Sequence, residues 1–406
     1  DLVRSRGLGD VYKRQEWKSD EHKMPLIIKG CRQCGKTFSV LDFAHKNYEH
    51  VVYIDFFQHP EYKSVFDGGL DIDLLCMTLS TLIPDANFVS GKTCIIFDEI
   101  QECPRARTAL KFFKTDGRYD VIGTGSLLGV SGYHTNASSE APIPVGYETI
   151  IDMYPMDFEE WLWANGIKKM TIDYLHRCLE EKTPVQEAIH ERMRQLLLQY
   201  CIVGGMPRAV SVFMETHNMQ NVLRMQQAII EEYKVDMLKY APQADKSRIR
   251  ECFESIPRQL SKENKKFAYA TVRSNGRGRD YQGSLQWIED AGIIRRCYNL
   301  SAPELPLDGN SIPDQFKVYM ADTGLFISML EPGTAADILQ GNLYGYKGAI
   351  FENLVADIFG KMNRKLYYFR KDSGLKIDFV TRYEGKCTLV EVKASNGNIK
   401  SAKTIL

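Results

Sequence analysis

The stretch "GCRQCGKT" at residues 30–37 constrains the fold more than any other feature of the chain. Its glycines, lysine and threonine have the spacing of a phosphate-binding loop, G-x-x-x-x-G-K-[ST]. The preceding "PLIIK" predicts a short strand, and the following "TFSVLDFAHKNYEH" has apolar residues at helical spacing. Strand, loop and helix is the order that such a loop requires. We therefore expect the backbone and side chains of this loop to bind phosphates, namely those of Gly30, Cys31, Arg32, Gln33, Cys34, Gly35, Lys36 and Thr37.

Cys31 and Cys34 also form a C-x-x-C, the spacing of a redox or zinc motif. A zinc site needs a second pair of ligands, and the remaining cysteines of the ten are scattered. A redox motif needs thioredoxin-like surroundings, which the flanking sequence does not show. We interpret this pair as coincidental and the cysteines as reduced.

A second element follows at residues 94–99, where "CIIFDE" predicts a buried strand that ends in two carboxylates. We expect Asp98 to hold Mg²⁺ through water, together with the hydroxyl of Thr37, and Glu99 to polarise an attacking water. Lys36 would contact the terminal phosphates as a point charge. The alternative is a buried strand that ends in a solvated acidic turn.

A third element is the strand "YDVIGTGSLLG" at 119–129, which ends in Thr124 and Ser126. We expect these hydroxyls to sense the γ-phosphate, and the alternative is an ordinary passage from strand to loop. A further strand is expected near 146–151. Strands that alternate with helices predict an α/β fold with a parallel sheet covered on both faces.

Five motifs together resemble the prokaryotic AAA-type ATPases that carry a C-terminal domain of unknown function. They are "GCRQCGKT", "FDEIQECP", "VIGTGSLLGV", "MYPMDFEEWL" and "GGMPRAV". The resemblance runs from about residue 22 to the C-terminus. It implies ATP and Mg²⁺ as cofactors and a P-loop NTPase sheet of the AAA/ASCE type. A helical segment, a winged-helix-like segment and a small α/β domain like restriction endonucleases would follow.

The resemblance also implies that Pro207 packs near the nucleotide base, although a proline that begins a helix explains it equally well. AAA-type ATPases use an arginine finger, and three residues are candidates by position alone: Arg105, Arg118 and Arg208. The oligomeric state therefore stays open.

The domain boundaries expected from these patterns divide the chain into five parts. Residues 1–21 are an unassigned arm, of which 1–15 read as non-native, with an ordinary polar arm as the alternative. Residues 22–155 are the ATPase domain, 156–260 a helical lid or spacer, and 261–300 the winged-helix-like segment. Residues 301–406 are the nuclease-like domain, for which truncation at the C-terminal end stays open.

Basic residues are concentrated just before the winged-helix-like segment and in its first part. From 258 to 279 there are seven basic residues against Glu263 alone: Arg258, Lys262, Lys265, Lys266, Arg273, Arg277 and Arg279. Such a patch is typical of phosphate contacts with nucleic acid. The following helix carries Glu289 and Asp290, so a protein contact or a purely structural role is an equal alternative.

A second chemical constellation lies in the last part of the chain. We expect Glu352 on a helix at 347–360, Asp378 on a strand at 375–382, and Glu391 with Lys393 on a strand at 388–395. Alternation places Leu375, Ile377 and Phe379 on one face of the first strand. Asp378 and Glu391 could hold a metal with Lys393 near a reacting phosphate, which resembles the restriction-endonuclease pattern. The alternative is a structural Glu–Lys pair beside a solvated aspartate.

The bulk composition limits the function classes only weakly. Lys plus Arg total 52 and Asp plus Glu total 52, so net charge favours no class of partner. No apolar run approaches the ~18 residues of a membrane span, and no secretory signal is visible, so we expect a cytoplasmic protein. Our leading hypothesis is an ATP-driven switch with a C-terminal recognition domain. The alternatives are an ATP-gated nuclease on DNA or RNA and a binding module without turnover, with a protein partner also open.

Overall fold

The computed structural model describes residues 8–126, 146–262, 265–340, 346–371 and 374–393. The chain forms two compact units, Asp1–Tyr154 and Pro155–Leu406, and each is described by itself. Two expected strands lie partly outside the described residues. They are the strand at 119–129, from residue 127 onward, and the strand at 388–395, from residue 394 onward.

The first unit contains a parallel sheet and four α-helices among its described residues. The strands are β1 Leu26–Lys29, β2 His50–Asp55, β3 Thr93–Asp98, β4 Asp120–Gly125 and β5 Thr149–Asp152. The helices are α1 Leu8–Ser19, α2 Lys36–Asn47, α3 Ile72–Leu82 and α4 Pro104–Asp116. Short 3₁₀ helices cover Pro60–Phe66 and Ile100–Glu102.

The sheet has the order β2-β3-β4-β1-β5, and every neighbouring pair is parallel. One strand, β4, therefore lies between β3, which carries Asp98, and β1, which leads into the phosphate loop. Because all strands run the same way, the loop, Asp98 and the end of β4 meet at one edge. The predicted α/β fold with a parallel sheet is confirmed.

Two apolar layers cover this sheet, which explains why its strands read as unbroken apolar runs. On one face Ile27, Ile95 and Phe97 pack with residues of α3 and α4. On the other face Ile28 and Ile96 pack with residues of α1 and α2.

Helix α1 lies within residues 1–21, for which the sequence predicts only an unassigned arm. Arg14 is buried and its Nη1 donates to the carbonyl of Ser39 on α2, at 2.6 Å. Trp17 is buried in the apolar layer and donates to the carbonyl of Met24, at 2.6 Å. Residues 8–19 are therefore part of the fold of the first unit, whereas residues 1–7 lie outside the described part.

The second unit begins with helices, as the pattern predicts for residues 156–260. They are α5 Phe158–Ala164, α6 Lys169–Glu181, α7 Glu187–Val203, α8 Pro207–Thr216, α9 Met219–Tyr240 and α10 Lys246–Leu260. Asp157 and Glu160 form a reciprocal capping box that starts α5. The helices that follow are α11 Tyr269–Val272, α12 Gly278–Asp290, α13 Thr323–Ser328, α14 Thr334–Leu339 and α15 Lys347–Lys361.

A five-stranded mixed sheet completes the second unit. Its strands are β6 Ile294–Leu300, β7 Ser311–Met320, β8 Leu366–Arg370, β9 Lys376–Tyr383 and β10 Lys386–Val390, in the order β10-β9-β8-β6-β7. Strand β6 pairs with β7 antiparallel and with β8 parallel. The boundary expected at 300 would therefore separate β6 from β7 and β8, the two strands to which it is hydrogen-bonded.

Two details of this sheet differ from the predicted strands. A bulge in β9 pairs Tyr367 with Val380 but Phe369 with Ile377, so that an extra residue enters the ladder. Ile377 and Val380 consequently share an apolar cluster, whereas the ring of Phe379 lies 5.8 Å from that of Phe359. The last strand ends at Val390, so Glu391 and Lys393 follow it and do not lie on a strand face.

Across the described ranges, no helix is long and apolar enough to cross a membrane. All ten cysteines lie in these ranges and none forms a disulfide.

Candidate functional site

The predicted phosphate loop joins β1 to α2, and two of its glycines are required by the backbone. Gly35 has φ 94° and caps the amino end of α2, a conformation that residues with a Cβ rarely adopt. A Cβ on Gly30 would lie 2.2 Å from the carbonyl oxygen of Met153, just after β5. The loop therefore curves tightly around the start of a helix, where the dipole favours an anion.

Lys36 is buried and holds its ammonium against the inner side of this loop. Its Nζ donates to the carbonyl oxygens of Gly30, at 3.0 Å, and Cys31, at 2.9 Å. The positive charge therefore lies among backbone groups of the loop, where a phosphate could replace the carbonyls as its acceptor.

Asp98, at the end of β3, accepts hydrogen bonds from four groups. Its Oδ2 accepts from the hydroxyls of Thr37, at 2.8 Å, and Tyr53, at 2.7 Å. Its Oδ1 accepts from the hydroxyl of Thr124 and from the N–H of Glu99, the latter at 3.1 Å. Across the described ranges, Asp98 has no Lys or Arg as an ion-pair partner, although only 3% of it is exposed. The carboxylate is therefore fixed by four neutral donors.

This arrangement fits a magnesium ion beside a nucleotide. Thr37 donates its single hydroxyl proton to Asp98, so the lone pairs of its oxygen point away from the carboxylate. A hydroxyl and a carboxylate are the hard oxygen ligands that Mg²⁺ prefers, usually with phosphate oxygens and waters. Thr37 and Asp98 are brought together as the sequence predicts.

Glu99 follows Asp98 in a left-handed backbone conformation, with φ 50° and ψ 48°. This conformation costs a non-glycine residue about 1–2 kcal/mol. The side chain of Glu99 accepts hydrogen bonds at Oε2 from Gln101 and, at 3.3 Å, from Ser126. The turn directs Glu99 away from the strand ladder, and polar donors fix its carboxylate.

The structure separates the two hydroxyls that were expected to sense phosphate. Ser126 contacts Glu99, whereas Thr124 is fully buried and donates to Asp98. Because its only proton is used there, Thr124 orients the Asp98 carboxylate in this structure. The expected role of Thr124 and Ser126 in sensing phosphate stays a prediction.

Tyr53 and Asp55 on β2 are site residues that the sequence reasoning missed. Asp55 pairs in register with Asp98, and its Oδ1 accepts from the N–H groups of Phe57 and Gln58, both at 2.8 Å. Burial, with the Asp98 carboxylate as the next cause, raises the pKa of Tyr53 well above its usual value. The signal was available, since "VVYID" ends in an acid just as "CIIFD" does.

The three candidates for an arginine finger have other partners. Arg105 donates to the carbonyls of Phe66, at 2.5 Å, and Gly68, at 2.8 Å. Arg118 pairs with Asp73 and Asp116 just before β4, at the edge opposite Asp98. Arg208, in the second unit, pairs with Glu232. Their own partners thus favour structural roles within each unit.

The "GGMP" segment forms a tight junction within the second unit. A Cβ on Gly204 would lie 2.3 Å from Oδ1 of Asp322, and one on Gly205 would lie 2.0 Å from the carbonyl oxygen of Met156. Gly205 donates its N–H to Asp322, at 2.6 Å, and accepts from the N–H of Met156, at 2.8 Å. Pro207 is the first residue of α8, in keeping with its fixed φ. Its expected place near a nucleotide base stays a prediction.

The second constellation centres on Glu352 of α15. Its carboxylate accepts from Lys265, at 2.6 Å, Lys317, at 3.1 Å, and Tyr319, at 2.9 Å, with Lys376 at 3.5 Å. Burial opposes the charged form, but the ammoniums of Lys317, Lys265 and Lys376 outweigh it and hold the pKa of Glu352 well below its usual range. Three cations around one carboxylate do not suit a divalent metal.

The other predicted members of this constellation are only partly brought together. Asp378 pairs with Lys376, at 2.9 Å, and accepts from the N–H of Val392, at 3.0 Å. Glu391 pairs with Lys393, at 3.2 Å. Within the described part, no three acidic, histidine or cysteine side chains form a group that could hold a metal ion. Cys31 and Cys34 are likewise not part of such a group among the described residues.

One member of the predicted basic patch turns out to be internal. Lys265 is buried against Glu352, and burial lowers its pKa. Lys262 donates to the hydroxyl of Thr271, and Arg279 lies beside Asp280, at 3.8 Å. A count of basic residues along the sequence therefore overstates the positive surface of this segment.

Three family models match the chain. Residues 22–162 match an AAA domain, residues 194–335 match a domain of unknown function, DUF8612, and residues 347–406 match another, DUF4143. The second of these spans crosses the boundaries that we expected at 260 and 300. No curated protein matches the chain.

Two solved structures show a distant likeness. The Walker-type ATPase of Pyrococcus abyssi is 14% identical, with 81% of this chain and 99% of that chain covered and a TM-score of 0.43. The ORC1 protein of Aeropyrum pernix, solved in complex with DNA, is 10% identical, with 84% and 94% covered and a TM-score of 0.30. The assignment therefore rests on the family match and on the geometry of the loop, Asp98 and Glu99. Residues 22–162 match an AAA domain, and they carry the phosphate loop and the acidic strand end that P-loop ATPases share.

Proposed function

We propose that this protein is a Mg²⁺-dependent ATPase that acts as a nucleotide-driven switch for a recognition domain in its C-terminal half. The observation that carries the proposal is the 2.8 Å hydrogen bond between Thr37 and Asp98. It joins the phosphate loop to the end of a strand that carries a second carboxylate, Glu99. A phosphate loop, a metal-holding pair and a separate base are the parts that ATP hydrolysis needs.

Each residue then has a distinct task. The loop and Lys36 bind the phosphates, and Thr37 with Asp98 holds the cation. Bound Mg²⁺ would neutralise charge that develops on the phosphate oxygens. Glu99 orients a water and accepts its proton, and Gln101 and Ser126 hold the Glu99 carboxylate for that task.

The contact of Gly30 with Met153 supports a switch. The phosphate loop packs against the residue that directly follows β5, two positions before the second unit begins at Pro155. A change in the loop on nucleotide binding would therefore displace Met153 and the chain that leads into Pro155.

The test is Glu99→Gln. The variant should bind Mg-ATP as the parent does and lose at least about 100-fold in turnover, because the base is removed and the metal ligands stay. Thermal shift measures binding, and phosphate release measures turnover. The control is Glu61→Gln, an exposed glutamate of the same unit that should leave both values unchanged.

Phosphate release by Glu99→Gln at the parental rate contradicts the role of Glu99. Absence of Mg-ATP binding by the unaltered protein contradicts the whole proposal. We do not propose nuclease activity, since Glu352, Asp378 and Glu391 each have a lysine partner among the described residues. A nucleic-acid or protein partner for the C-terminal half stays a prediction.

A further inference from the structure

We propose that Tyr53 is a positioning residue for magnesium, which acts by fixing the carboxylate of Asp98. The inference rests on the proposed function, because it assigns a further residue to the same site. Tyr53 would not touch the metal or the nucleotide. It would set the affinity for the metal through the orientation of Asp98.

The first argument is the shared acceptor. The Tyr53 hydroxyl donates to Oδ2 of Asp98 at 2.7 Å, and the same oxygen accepts from Thr37 at 2.8 Å. The Tyr53 and Thr37 donors thus fix one oxygen from two sides. If the phenol is lost, the carboxylate is freer to rotate, and the Thr37 hydroxyl that depends on it is less well aimed at a cation.

The second argument is the position of Asp55. It is aligned with Asp98 on the neighbouring parallel strand, and both side chains are buried. Backbone donors of Phe57 and Gln58 hold one oxygen of Asp55, and its other oxygen lies 3.4 Å from the Tyr53 hydroxyl. The phenol therefore stands between two carboxylates and has one proton to donate. The shorter distance assigns that proton to Asp98.

The expected consequence is confined to the metal. Groups that orient a metal ligand typically change metal affinity 10- to 100-fold when they are removed. The loop backbone and Lys36 bind phosphates without help from Tyr53. Metal-free nucleotide binding should therefore be insensitive to this residue.

The experiment compares Tyr53→Phe with Tyr48→Phe in the full chain. Phenylalanine keeps the ring and removes only the hydroxyl. Tyr48 is a matched control, since its hydroxyl donates to Asp120 at 2.7 Å, at the opposite edge of the same sheet. Both variants lose one hydrogen bond to a carboxylate, so both should lose similar stability.

Two Mg²⁺ titrations at fixed ATP supply the measurement, one read by thermal shift and one by phosphate release. Tyr53→Phe should raise both Mg²⁺ midpoints about tenfold or more. ATP affinity in EDTA should stay at the parental value, and Tyr48→Phe should keep both midpoints.

Three outcomes overturn the inference. A parental Mg²⁺ midpoint in Tyr53→Phe removes it while the proposed function stands. An equal rise in Tyr48→Phe shows that the effect comes from stability alone. A parent protein that binds no Mg-ATP refutes the proposed function and the inference together.

Discussion

Asp98 in the first unit and Glu352 in the second are buried to the same degree, each with 3% of the residue exposed. Each is also surrounded by four donors. Those of Asp98 are three hydroxyls and a backbone N–H, whereas those of Glu352 are three ammoniums and one hydroxyl. The two sites differ in the charge of their donors, not in the number.

Under the proposed function, that difference separates a metal-binding carboxylate from a structural one. Neutral donors hold a carboxylate in place without cancelling its charge, so Asp98 can still attract a cation. Ammoniums cancel the charge, and a buried pair that is complete has little to gain from a further ligand. A motif search that counts carboxylates treats the two alike.

The largest effect should come from Glu352→Gln. Removal of this charge leaves the buried ammoniums of Lys265 and Lys317 without this carboxylate, which typically costs 3–5 kcal/mol. Lys376 keeps its pair with Asp378. Denaturant unfolding of the full chain measures the loss. The control is Asp308→Asn, whose carboxylate has similar partners, Lys365 and Tyr367, but is 69% exposed. It should cost less than about 1 kcal/mol.

Acid supplies an independent signature of the same cluster. The pKa of Glu352 is lowered on folding, so its stabilising contribution is present above the usual glutamate pKa and is lost as the pH falls below about 5. The parent should lose stability on acidification faster than Glu352→Gln does. Parallel curves, or a loss in Glu352→Gln no greater than in Asp308→Asn, would erase the contrast between the two sites.

Lys36→Ala should have the next largest effect, a loss of about 100-fold or more in ATP affinity. The change removes a charge-assisted contact with phosphate, worth about 1.5–3 kcal/mol for each hydrogen bond. The matched control is Lys46→Ala on the same helix, an exposed lysine that pairs with Asp42. Equal stabilisation of parent and Lys36→Ala by Mg-ATP would show that the loop does not bind nucleotide.

The double change Cys31→Ser with Cys34→Ser should have the smallest effect. Both thiols are buried in the loop, so a modest loss of stability, about 1 kcal/mol, is expected from two buried hydroxyls. ATP affinity should change less than threefold, because the backbone of the loop is kept. If the parent binds zinc and the variant does not, these two cysteines are metal ligands and their interpretation as coincidental is wrong.

The first site could be predicted from the sequence because its parts are local. Gly35, Lys36 and Thr37 are adjacent, and the strand before Asp98 is an unbroken apolar run. Parallel order then brings their ends to one edge. The hydrogen-bond partners of the hydroxyls could not be predicted from the sequence. Thr124 donates to Asp98 because β4 lies beside β3, and the sequence does not give this order of strands.

The contacts of the second constellation, around Glu352, could not be predicted from the sequence for the opposite reason: its parts are distant along the chain. Lys265 lies 87 residues before Glu352 along the chain, and no periodicity links the two. The bulge in β9 shifts the face of every residue after it, which alternation cannot anticipate. Glu391 lies one residue beyond the end of β10, so the strand predicted at 388–395 is shorter in the structure.

The left-handed backbone of Glu99 has a consequence for engineering this protein. A search for thermostable variants should favour glycine or asparagine at this position, because both adopt such a φ at lower cost. The gain, roughly 1 kcal/mol, would come with the loss of the carboxylate that the proposed reaction needs. Glu99 is thus a place where selection for a sturdier fold and selection for turnover pull in opposite directions.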